Sequence, residues 1–222
     1  MLVLFTVVTG IVDATSILRL GHVFVANITG SIIFVGIALA GAKGFSVPAP
    51  LLALAAFVGG AVVGGLLVGS PVPHRARALR TAAFVQLADM TACTGVVAAT
   101  GDHPSSAIRY LLIVLLASGM GAKSSIVRRV GVPGLTTSVF TTTLAELASD
   151  GPAGGWKDTK FRVRVLAAFA LFAGAVAGAL LVLNTALWCP VGAASVVLLA
   201  TAWWTNRASA VLAPWTTLGA RP

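Results

Sequence analysis

Charge is scarce in this chain: Asp, Glu, Lys and Arg make up 9% of its 222 residues, and six of those are acidic. A soluble domain carries about a quarter charged residues, so a water-soluble globular fold is excluded. Histidine and cysteine are rare as well, at three and two. Cys93 and Cys189 lie inside apolar segments and fall in no CxxC or Cys/His spacing. That excludes a zinc site or a disulfide framework and reads both as thiols in apolar surroundings. His22, His74 and His103 sit near loops, and neither HExxH nor GxSxG occurs, so no hydrolytic motif is present. The expectation is a protein that is not an enzyme and holds no cofactor and no metal. A basic stretch ahead of the first apolar run is missing too, and Asp13 and Arg19 interrupt that run. Residues 1–19 therefore read as a retained span and not a cleaved signal.

Apolar sequence is what the chain has in abundance: 58% of residues are hydrophobic and the mean hydropathy is +0.98. Apolar stretches run near 1–18, 23–42, 50–69, 81–100, 110–127, 133–148, 165–183 and 186–205. Their lengths approach the roughly 20 residues that cross a bilayer. The breaks between them are short and carry turn residues, as in "SPVPHRARALR" at 70–80, "GDHPSS" at 101–106 and "RRVGVPG" at 128–134. The class is an all-α integral membrane protein, a single membrane domain over 1–222, whose first partner is the lipid bilayer.

Fifteen Lys and Arg give a net charge of +9. In a soluble protein that would point to nucleic acid. Here the cations cluster in short loops, where the excess of Lys and Arg on cytoplasmic loops accounts for them, and nucleic acid is not an expected partner. If every apolar stretch crossed the membrane, the basic loops at 70–80 and 149–164 would face opposite sides, against that rule. If the second and sixth stretches enter and leave on one side, Arg75, Arg77, Arg80, Arg128, Arg129, Lys157, Lys160, Arg162, Arg164, Arg207 and Arg221 all become cytoplasmic. Only Arg19, Lys43 and Arg109 then lie opposite. The expected topology is about six transmembrane helices plus two broken or re-entrant segments.

The halves repeat. "FVGGAVVGGLLV" at 57–68 aligns without gaps on "LFAGAVAGALLV" at 171–182, an offset of 114, and "ILRLGHVF" at 17–24 shares an Arg-x-Gly core with "VRRVGVPG" at 127–134, an offset of 110. Repeat one covers 1–100, repeat two 110–206, and a tail 207–222. Three spans in each half is an odd number, so the repeats are inverted. The Gly60/Gly64 and Gly174/Gly178 spacings favour close helix contact.

Within "VFVANITGSIIF" at 23–34, Asn27, Thr29, Gly30 and Ser31 stand side by side. A polar, glycine-bearing break at membrane depth is tolerated only where it is packed in protein or lines a wet cavity. The reading is an extended "VFV", Asn27 or Thr29 as N-cap, and a helix onward from there. The counterpart at 132–148 breaks at Pro133 and Gly134, with Thr136 or Thr137 as cap and Thr141 along one side. Two half-helix N-termini would face each other near the midplane, a site for a small polar or anionic solute. The plainer reading of any one of these Ser, Thr or Gly residues is close helix packing.

Asp13, Asp89 and Lys123 are the charges deepest in the spans, and buried ionisable groups are functional candidates. Aligning Gly21 with Gly131 sets Asp13 opposite Lys123, so that the two could pair; the alternative is that either reaches an interface or a wet vestibule. Gln86, Asp89 and Cys93 share one helix face that should point into the bundle. Ser124 follows Lys123 and joins the candidate binding set.

"GIVDATSILRLGHVFVANITGS" at 10–31 and "GMGAKSSIVRRVGVPGLTTSVFTTTL" at 119–144 resemble the signature regions of the YoaK family, small bacterial inner-membrane proteins of unknown function. The likeness covers nearly the whole chain and implies a transporter in the bacterial cytoplasmic membrane. Departures fall at the supposed site: Lys123-Ser124 where members tend to carry Gln-Asn, Ser31 where Asn commonly follows Thr-Gly, and Thr142 for a usual Gly. Members also tend to carry a few more N-terminal residues, so a trimmed start is expected. The functional expectation is a transporter or channel, possessing a solute as partner and compatible with a homo-oligomer. The alternatives are a structural or accessory membrane protein without a solute and, less favoured, an intramembrane enzyme.

Overall fold

The structure, a computed structural model, describes residues 2–69, 75–102, 104–130 and 159–209. These form seven α-helices: α1 Leu2–Arg19, α2 Ile28–Leu39, α3 Pro48–Val68, α4 Arg75–Thr100, α5 Ser106–Val130, α6 Thr159–Asn184 and α7 Trp188–Ser209. No strand occurs among the described residues. Each helix coincides with one apolar stretch of the sequence. The stretch at 133–148, and with it Thr136, Thr137 and Thr141, lies outside the described residues.

The ends of the helices follow from local chemistry. Pro48 opens α3, where its missing N–H would have had no helical partner and its fixed φ suits the first turn. Gly69 closes the helix with φ 66°, a conformation that side chains rarely adopt. α3, α4, α5 and α6 are each long and apolar enough to cross a membrane. α2 is not: its 12 residues rise only about 18 Å, against a hydrocarbon core of about 30 Å.

The most extensive pairings join helices that are not sequence neighbours. α3 lies along α5 and α6 along α1, while α4 sits between α5 and α7, which also touches α1. Small residues make the long pairs possible. A Cβ on Gly60 would collide with the Ser118 carbonyl and one on Gly64 with Ala122, both on α5. From the other side, a Cβ on Gly121 would strike the Phe57 backbone. The α1–α6 contact is built alike, with Gly174 against Val7, Gly178 against Ile11, and Gly10 against Leu171 and Ala175. With so little side chain between them the two backbones approach closely, and dispersion replaces the hydrophobic effect that lipid cannot supply.

α5 is the most enclosed of the long helices, whereas α3 and α6 turn much of their surface outward. Leu66, Leu67 and Val62 of α3 and Phe169, Phe172 and Leu183 of α6 are all exposed. Apolar faces of that size suit lipid and not water.

The packing gives a direct expectation. Gly60→Val and Gly178→Val each force a branched side chain into backbone and should destabilise the protein by about 1–3 kcal/mol, the usual range for overpacking. Gly59→Val, whose added Cβ meets open space, should leave the thermal midpoint in detergent within about a degree of wild type if only the contact matters.

Candidate functional site

The chain leaves α1 at Arg19, turns through Gly21 (φ 99°) and His22 (φ 55°), and runs from Val23 to Asn27 without helical structure before α2 begins at Ile28. Val23 and Val25 are fully buried. Their neighbouring amides therefore need partners from protein. Asp13, buried on α1, provides them: one carboxylate oxygen, Oδ1, accepts the Val25 N–H at 3.2 Å and the Ala26 N–H at 2.9 Å. Charge-assisted bonds of this kind are about twice as strong as neutral ones.

Ser31 closes the same loop from the other end. Its Oγ accepts the Phe24 N–H at 3.1 Å and donates to the Phe24 carbonyl at 2.6 Å. Gly30 permits this, since a Cβ there would collide with the Phe24 ring. Asn27 occupies the N-cap position of α2, but its side chain makes no capping bond. The side-chain cap expected from Asn27 or Thr29 is thus not made, Thr29 lying inside α2, and the bonds from Asp13 and Ser31 hold the residues before the helix instead. The amides of Val25 and Ala26 point at α1, where the carboxylate meets them.

Lys123 is buried on α5 and donates from Nζ to the Thr9 hydroxyl at 2.8 Å, while Thr9 in turn donates to the Phe5 carbonyl at 2.8 Å. Thr9 is one turn before Asp13 on the same face of α1. Lys123 and Asp13 attract through space, yet no direct ion pair joins them among the described residues. The pairing that the sequence allowed is not made as a hydrogen bond: Lys123 donates to Thr9, whose own proton goes to Phe5, and Asp13 Oδ1 serves the break. Ser124, next to Lys123, is half-buried. Asp89 is elsewhere, its carboxylate lying on Gly119 in the α4–α5 interface.

Asp13, Asn27, Thr29 and Gly30 come together on the wall of one cavity of about 830 Å³, where α1, the break, α2 and α6 meet. Gly10, Ala14 and Phe24 complete its near side, and Leu171, Phe172 and Ala175 of α6 its far side. Sequence reasoning missed the α6 wall and the part of Thr9. A signal for the wall was present in the Gly174/Gly178 spacing, which marks the helix that approaches α1. The cavity is predominantly apolar with polar groups at one end, a composition that suits binding sites for small molecules.

Residues 1–203 match the family described as Protein of unknown function (DUF1275). The chain belongs to this family. It is also similar to the UPF0700 transmembrane protein YoaK of Bacillus subtilis (strain 168), at 32% identity over 155 residues, which cover 68% of this chain and 65% of that relative. The chain thus spans just under two thirds of the length of the curated relative it matches. No solved structure matches it. The family resemblance carried by the two polar breaks is therefore shown, and with long apolar helices beside a transmembrane relative this DUF1275 member is a multi-pass membrane protein.

The Asp13 arrangement separates two substitutions. Asp13→Ala leaves the Val25 and Ala26 amides buried without an acceptor and should cost about 2–4 kcal/mol, whereas Asp13→Asn keeps one acceptor oxygen and should cost roughly half as much. Thermal unfolding in detergent measures the first difference. Hydrogen exchange at Val25 and Ala26 should rise most in the alanine variant.

Proposed function

We propose that this protein is a transporter or channel of the bacterial cytoplasmic membrane, built from two inverted halves, that passes a small solute by way of the cavity beside the break. The cavity is the observation that carries the reading: it lies where the chain abandons regular helix, and its volume falls in the range of about 300–1,000 Å³ usual for small-molecule sites. Asp13 on its wall weighs against an anion at this end, since the amides that an anion would seek are already held by a carboxylate. A solute with an apolar body and a neutral or cationic polar end fits the lining better.

Inversion draws support from reciprocity. α3 pairs with the α5 of the other half as α6 pairs with α1, and Gly60 and Gly64 at the first contact recur as Gly174 and Gly178 at the second, at the 114-residue offset. The Arg of the 110-residue repeat behaves likewise. Arg19 at the end of α1 donates to the Val182 carbonyl at the end of α6 (3.5 Å), and Arg129 at the end of α5 donates to the Gly69 carbonyl just beyond α3 (2.7 Å). In both cases a cation sits on the exposed carbonyls of a helix C-terminus, where the dipole favours it.

The re-entrant reading of the second stretch draws support from Asp102. Arg19 donates to the Asp102 carbonyl at 3.0 Å, so both lie at one face of the membrane. Between them are α2, α3 and α4, and an even number of crossings results if α2 turns back. Asp102 also accepts the Leu187 N–H, at 2.6 Å, which sets the start of α7 at that face. Rocking of one half against the other around the cavity would then give alternating access. A purely structural or accessory role would need no such cavity.

Two measurements test the proposal. Ala14→Phe and Ala175→Phe fill the cavity and should reduce uptake into proteoliposomes about tenfold or more, the loss of roughly 1.4 kcal/mol or more of binding. The solute is to be sought by thermal stabilisation among neutral, cationic and anionic compounds. Failure of every compound to stabilise or enter overturns the transport reading. In a background lacking Cys93 and Cys189, Lys43→Cys and Trp156→Cys should label from opposite faces; labelling from the same face overturns the six-span topology.

A further inference from the structure

Outside the cavity, two hydrogen-bond acceptors in the membrane interior stand without donors, and they are neighbours. Gln86 of α4 is fully buried; its Nε2 donates to the Met120 sulfur at 3.4 Å, but its Oε1 has no hydrogen-bond partner. Asp89 is three residues on, so the two side chains lie on one face of α4 and within reach of each other. That face meets α5 at adjacent positions, Gln86 at Met120 and Asp89 at Gly119. The absence of a side chain at Gly119 makes the notch that the Asp89 carboxylate occupies. No described residue donates a hydrogen bond to that carboxylate.

An unpaired carbonyl oxygen and an unpaired carboxylate are both acceptors. They cannot satisfy each other, and leaving either unpaired at membrane depth is costly. A single proton resolves both. We propose that Asp89 and Gln86 form a proton-binding site in the α4–α5 interface, in which protonated Asp89 donates its O–H to Gln86 Oε1. On binding, a solvent hydronium forms the O–H bond at a carboxylate oxygen and leaves as water; release reverses the step. Asp89 is half-buried, so the α4–α5 interface does not seal it completely.

Other ionisable groups leave this assignment intact. Cys93 lies one turn along α4 and is buried as a free thiol. On α5 the nearest is Lys123, one turn from Gly119, and its ammonium is turned to Thr9. α7, on the other side of α4, has only Cys189 and Arg207, near its two ends, and α3 has none. The site is independent of the solute reading, because neither Gln86 nor Asp89 lines the cavity.

Infrared difference spectra of the protein in liposomes, taken between acidic and alkaline buffer, provide the test, and the six acidic residues keep the region uncrowded. A carboxylic-acid C=O band should titrate with pH, vanish in Asp89→Asn, persist in Asp13→Asn, and shift in Gln86→Leu, which removes the acceptor but not the acid. Survival of the band in Asp89→Asn overturns the site, as does an unmoved band in Gln86→Leu. Displacement of the band by sodium at constant pH also overturns it, since the group would then be an alkali-cation ligand. If Asp89→Asn yields no folded protein, the Gln86→Leu spectrum decides alone.

Discussion

One carboxylate holds the unusual part of this molecule in place. Lipid supplies no hydrogen-bond partners, so a chain that leaves the helix inside a membrane must find them in protein. Asp13 gives two successive amides of the break a charged acceptor, and the extended backbone from Val23 to Asn27 becomes tolerable. The start of α2, the position of Phe24 over Gly30, and the cavity between α1, α2 and α6 all follow from that anchoring. Ser31 adds the return bond that ties the first turn of α2 to the break.

Much of this was legible beforehand. The apolar stretches located every described helix, and the glycine spacings identified the surfaces where helices touch backbone to backbone. The break at 23–27 was legible because Asn, Thr, Gly and Ser are out of place in a span. What the sequence did not reveal was the partner of each polar group. Asn27 stands where a cap belongs but makes no capping bond, and nothing in the linear sequence indicated that the Val25 and Ala26 amides ahead of it would find Asp13. The offset of 110 set Asp13 opposite Lys123, yet linear correspondence says nothing of which atoms meet, and Lys123 donates to Thr9 instead. The α6 wall of the cavity was hidden for a related reason: its residues are ordinary apolar ones until tertiary packing sets them against α1.

The proposed repeat is also chemically asymmetric. Asp13 and Lys123 occupy corresponding positions, but an ammonium can only donate. Lys123 therefore cannot accept amide hydrogen bonds as Asp13 does, and it donates to a threonine of the opposite half instead. Opposite charges at these positions thus make different kinds of hydrogen bond.

The crosswise pairing of helices has a consequence for biosynthesis. α1 leaves the ribosome long before α6 exists, and α3 must wait for α5. Until then their glycine-lined grooves face lipid with nothing to fill them, so neither half can reach its final packing before synthesis of the other is well advanced. Maturation is in this sense an event of the whole polypeptide, and a chain interrupted after α4 would present two unmatched seams to whatever hydrophobic neighbour came first.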